Sequence, residues 1–146
     1  MSAPLATSAA SSRLSGVPGR AIVSARGHHF IVDSPGSLGG PNEEINPLDV
    51  LLGALATCGT FVCETAALEE GIPLQGISVD VAGDFDPRGI CGEPVDPSIQ
   101  ALRVRLNLTG PSQDQAEFLA ESFRRRCPVY GTLVKAASIE ISLVVG

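Results

Sequence analysis

Four cysteines, Cys58, Cys63, Cys91 and Cys127, are the side chains of this sequence with the greatest chemical reach. A cysteine can be a nucleophile, a metal ligand or half of a disulfide, and its setting decides among these. No CxxC pair occurs, so tetrahedral zinc would need ligands from four scattered segments. Thiols so few and so far apart do not make a disulfide scaffold, and small apolar filler is the default role of each. Two of them have settings that suggest more. In "RRRCPVYGTLVKA", residues 124–136, Cys127 stands before a proline at a helix start, where free backbone amides and the helix dipole favour a thiolate. Cys58 interrupts an apolar helical run between Thr57 and Gly59, and Gly59 would let another segment such as "RCPVYG" come close. A mid-helix thiol gains nothing from a dipole, so activating Cys58 takes a cation from elsewhere.

Other chemistries find little support. No Ser/His/Asp set with a nucleophile-elbow turn and no phosphate-cradling glycine loop is present. His28 and His29 are neighbours on an expected strand and point to opposite faces, so they cannot share one ion, and no metal is expected. A formal charge of −6 disfavours nucleic acid and anionic membrane surfaces, which are bound through Lys and Arg. The stretch "MSAPLATSAASSRL" lacks the basic start and apolar run of a signal peptide, and the protein is expected to be soluble and cytoplasmic.

The elements that must position these residues follow from local pattern. Residues 1–16 read as a flexible tail or a weak first strand, and residues 17–146 as one domain. "GRAIVSARGHHFIVD" reads as a hairpin, followed by a Pro- and Gly-rich loop. "NPLDVLLGALATCGTFVCETAALEEG" has Asn46 as N-cap, Pro47 at the first helical position, Asp49 in the first turn and Gly71 as C-cap, a helix of about six turns. Its first half has no polar face, which predicts that it is surrounded by protein. "LQGISVDVAGDF" and "IQALRVRLNLTG" alternate as half-buried strands that should pair antiparallel, with the turn-rich Cys91 segment between them. "PSQDQAEFLAESFRRR" is a helix capped by Ser112, its arginines placed where the dipole favours them. "VYGTLVKAA" reads as a short helix and "SIEISLVVG" as a final strand.

Three stretches in this order, "SPGSLGGPNEEINPLDVLLGALATC", "DFDPRG" and "CPVYGTL", resemble the OsmC/Ohr family of thiol-dependent peroxidases, over about Gly19 to Val145. The resemblance implies an α+β fold, with antiparallel sheets around a long buried central helix and two chains interwoven into a homodimer. Carried over by motif position, Cys58 resembles the peroxidatic cysteine and Cys127 the resolving one, while Cys63 and Cys91 match no family role. The implied activity is reduction of organic hydroperoxides in oxidative stress defence, through a Cys58 sulfenic acid and a Cys58–Cys127 disulfide. No cofactor is implied beyond an external dithiol reductant, typically a lipoyl group. Val17 and Leu48 stand where the Ohr branch has an activating arginine and glutamate, so the resemblance is to the broader OsmC-like group rather than to Ohr proper. Arg20, Arg26 and Arg126 are then the candidates for activating Cys58, Arg20 the best placed, with Asp49 as a supporting carboxylate. The alternative is a non-peroxidatic OsmC-like dimer that binds a small molecule or senses redox state.

Overall fold

The computed structural model describes residues 2–146, which form two compact units, one ending at Val50 and one running from Leu51 to Gly146. The first unit holds a three-stranded antiparallel sheet. β1 (Ser11–Leu14), β2 (Arg20–Ala25) and β3 (His28–Asp33) pair in that order. The β2–β3 turn uses Arg26 and Gly27, both at positive φ (50° and 81°), the two-residue conformation whose twist matches that of paired strands. This turn fixes the register, and it sets Arg20 directly opposite Asp33.

The central helix α1 (Pro47–Glu70) is closed at both ends by its own sequence. The Asn46 side chain accepts from the Asp49 amide at 3.0 Å, and the Asp49 carboxylate accepts from the Asn46 amide at 3.0 Å, a reciprocal cap. At the other end Gly71 adopts φ 65°, and the Ile72 amide donates back to the Ala67 carbonyl at 2.9 Å. Leu55, Gly59, Cys63, Ala66 and Ala67 form its buried stripe at helical spacing. The expectation that the helix is buried, and its first half surrounded by protein, is not met within one chain. Gly53, Ala54, Thr57, Phe61 and Leu68 are exposed, Phe61 at 61% and Leu68 at 79%. By length and composition alone α1 could cross a membrane, but its buried small-residue stripe is what a core helix needs.

In the second unit β4 (Gly76–Asp84) pairs antiparallel with β5 (Ala101–Thr109). Then β6 (Ser138–Val145) joins the far side of β5 in parallel. The second sheet is therefore mixed, a correction to the expectation of antiparallel sheets throughout. The cause lies in the connection: α2 (Gln113–Arg126) and α3 (Pro128–Leu133) carry the chain back before β6 begins, and a parallel neighbour requires such a crossover. Leu102, Val104, Leu106 and Leu108 are all at or below 2% exposure, with Val79, Val81, Ile141 and Leu143 beside them in register. Phe123, Leu119, Ala120 and Ala116 of α2 complete this core. Ser112 caps α2 by accepting from the Gln115 amide at 3.3 Å, while the Gln115 side chain accepts from the Ser112 amide at 2.9 Å.

Candidate active site

Pro128 disfavours helical backbone at the residue before it, and Cys127 accordingly takes an extended conformation (φ −84°, ψ 114°). One residue thus ends α2 and starts α3. Its amide donates to the Phe123 carbonyl at 3.1 Å, and its sulfur accepts from the Tyr130 amide at 3.2 Å, a thiol serving as helix cap. Cys127 is buried, at 3% exposure.

The structure brings Cys127 to Cys58. Both are free thiols, with Cys58 half-buried in the middle of α1. The Cys127 thiol is pushed well above the usual cysteine range, first by burial and next by the neighbouring Cys58 thiol. Gly59 is closely approached as expected, although by the Phe123 ring of α2 rather than by "RCPVYG" itself.

The remaining cysteines have settings of their own. Cys63 is fully buried, donates to the Leu119 carbonyl at 3.6 Å, and is pushed up to about 11 by burial. Cys91 is exposed in the loop between β4 and β5. Among the described residues no group of three metal-ligating side chains occurs.

Arg20, Arg126 and Asp49 have specific partners. The Arg20 guanidinium binds Asp33 through Nε at 2.7 Å and Nη2 at 2.9 Å, and Nη2 also donates to Glu43 at 2.8 Å. Asp33, at 1% exposure, further accepts from the Glu43 and Glu44 amides at 3.1 and 3.0 Å. Arg20 holds the Asp33 carboxyl well below the usual carboxylate range. This clamp ties the loop leading to α1 onto the hairpin. Arg126 makes a two-pronged pair with Glu69 in the last turn of α1, at 2.6 and 3.1 Å, where an acidic side chain opposes the helix dipole. Asp49 is engaged in the cap of α1. Asp33 and Glu43 did not stand out in the sequence, yet counting outward from the Arg26–Gly27 turn puts Asp33 across from Arg20.

A family model described as "OsmC-like protein" matches residues 40–142. The chain belongs to the OsmC-like family. Among solved structures, this OsmC-like chain is similar to the OsmC-like protein from Mycoplasma pneumoniae, at 17% identity with a TM-score of 0.80 over 96% of this chain and 97% of that one. It is also similar to an organic hydroperoxide resistance protein OsmC from Legionella pneumophila, at 19% identity and TM-score 0.73, covering 97% and 98%. The organic hydroperoxide resistance protein OhrB of Bacillus subtilis superposes at 18% identity and TM-score 0.67, covering 97% and 100%. These likenesses establish an α+β fold for this OsmC-like chain. No curated protein matches it in sequence.

Proposed function

We propose that this OsmC-like protein is a thiol-dependent peroxidase that reduces organic hydroperoxides. The observation that carries the reading is that the fold packs Cys58 against the core cluster containing Cys127, close enough for the two thiols to influence each other, although they are 69 positions apart; both match the family's two reactive positions. The Cys58 thiolate attacks the terminal peroxide oxygen, an S–O bond forms as the O–O bond breaks, and the alkoxide leaves as an alcohol after taking a proton. Cys58 is then a sulfenic acid, oxidised by two electrons. The Cys127 sulfur attacks it, the S–S bond forms, and the hydroxyl leaves as water. An external dithiol, such as a lipoyl group, restores both thiols by two exchange steps. The apolar residues of α1 favour organic over hydrogen peroxide, because an alkyl group gains from leaving water. The exposed Phe61 and Leu68 on the same helix favour a homodimer as the working form.

A second reading is favoured by Val17 and Leu48, apolar residues where the Ohr branch carries its activating pair. On that reading the dimer binds a small molecule or senses redox state without turning over. Hydroperoxide consumption with a dithiol reductant decides between them. The wild type should turn over, Cys58→Ser should not, and Cys127→Ser should accumulate sulfenic acid without disulfide. A wild type no faster than Cys58→Ser would sink the peroxidase reading.

A further inference from the structure

Phe123 touches both sides of the thiol pair. On one side lies Gly59, the residue after Cys58: a β-carbon built on it would stand 3.2 Å from Cε2 and Cζ of the Phe123 ring and 3.5 Å from Cδ2. On the other side lies the turn that carries Cys127. The Phe123 carbonyl accepts the Cys127 amide at 3.1 Å. The Phe123 ring lies against Tyr130, with centroids 5.4 Å apart and planes tilted by 53°. Tyr130 in turn donates its amide to the Cys127 sulfur at 3.2 Å. Phe123 is fully buried, and neither Gly59 nor Phe123 has a group that could react.

We infer that Gly59 and Phe123 are positioning residues, and that the ring seated on the bare backbone of Gly59 sets how closely Cys127 approaches Cys58. This deepens the reading of the two cysteines as a reacting pair and rests on it. A side chain at position 59 forces the ring back by a few tenths of an ångström, and the Cys127 turn is bonded to the residue that carries the ring. Intramolecular reactions are steep in such displacements: about 1 Å costs on the order of a hundredfold. A shift of a few tenths of an ångström then costs roughly tenfold.

The test equilibrates the full chain with oxidised and reduced dithiothreitol and quantifies the Cys58–Cys127 disulfide. Gly59→Ala should lower the disulfide equilibrium constant by roughly tenfold. Gly53→Ala should leave it within about twofold, because alanine there has the same helix-forming advantage and no atom within 4 Å. In a Cys127→Ser background, Gly59→Ala should form Cys58 sulfenic acid at the rate of its parent. Phe123→Leu, which withdraws the ring, is the second variant and should also weaken the disulfide. A Gly59→Ala protein with wild-type circular dichroism and a wild-type equilibrium constant would overturn the inference, as would Phe123→Leu with an unchanged constant if Gly59→Ala does not fold. If Gly59→Ala shows the loss but the wild type consumes no hydroperoxide, positioning stands and the peroxidase reading fails. If the wild type consumes hydroperoxide and Gly59→Ala equals Gly53→Ala, positioning fails and the peroxidase reading stands.

Discussion

Oxidising Cys58 and Cys127 to a disulfide should stabilise the folded chain by an amount that can be worked from their places in it. The bond would join the middle of α1 to the break between α2 and α3. It would close a loop of about 70 residues, and the chain entropy thereby removed from the unfolded state corresponds to ~4 kcal/mol at 25 °C. The native geometry decides how much of this survives. The two thiols already lie in one packed cluster, so neither helix must travel far to let the sulfurs join. For a chain of this size ~4 kcal/mol corresponds to a rise in Tm of roughly 8–16 °C. By linkage, the disulfide should be about 90 mV harder to reduce in the folded than in the unfolded chain. The assay is guanidinium unfolding followed by far-ultraviolet circular dichroism, on diamide-oxidised and dithiothreitol-reduced protein at one fixed concentration, since self-association makes stability concentration-dependent. Cys127→Ser should show no difference between the two conditions. An oxidised wild type that is no more stable than the reduced one would mean that the native fold resists the bond, and would refute the pairing.

Two further outcomes follow from burial and charge. Burial holds Cys63 at about 11, so its contribution to stability is present below the ordinary value of 9.0 and is lost as pH rises toward the folded value. Iodoacetamide at pH 9 should therefore modify the exposed Cys91 first and leave Cys63 intact until the chain unfolds, as peptide mass mapping would show. Asp33 is lowered from its ordinary 3.8 by Arg20, so its contribution is present above about pH 4 and is lost as pH falls toward the folded value. Asp33→Asn should be less stable at neutral pH and should lose less stability between pH 5 and 2 than the wild type. Parallel acid limbs in the two proteins would show that the clamp does not govern acid unfolding.

What could be read from the sequence depended on how far each cause reached along the chain. Asn46, Pro47 and Gly71 mark the ends of α1 because capping is settled within four residues, and the structure keeps those bounds. The alternation of Leu102, Val104, Leu106 and Leu108 announces β5 for the same reason. Pro128 dictates the break that makes Cys127 a cap. The parallel placement of β6 has no such local cause, since its own alternation suits either direction and the path through α2 and α3 decides. The exposure of Gly53 and Ala54 was likewise hidden, because a helix half with no polar face says that it must be covered without saying by which chain. Arg20 lay between these cases. Its charge suggested a catalytic partner, while the hairpin register already assigned it Asp33. Gly59 announced a close approach, but only the fold supplied the ring that makes it.

The two thiols are different in kind, and the difference suits the order of steps in the proposed cycle. Cys127 is buried and holds its proton, which makes it a poor nucleophile toward a peroxide and leaves the first attack to Cys58. Cys127 lies beside the Cys58 sulfur in the same packed cluster. Once that sulfur carries a hydroxyl, the hydroxyl can leave only as water, and the thiol that attacks is also the group that brings the proton. Keeping Cys127 protonated until a sulfenic acid stands beside it therefore couples nucleophile and acid in one side chain. Core packing keeps the two thiols together before oxidation, and the Phe123 ring on Gly59 sets how close they come.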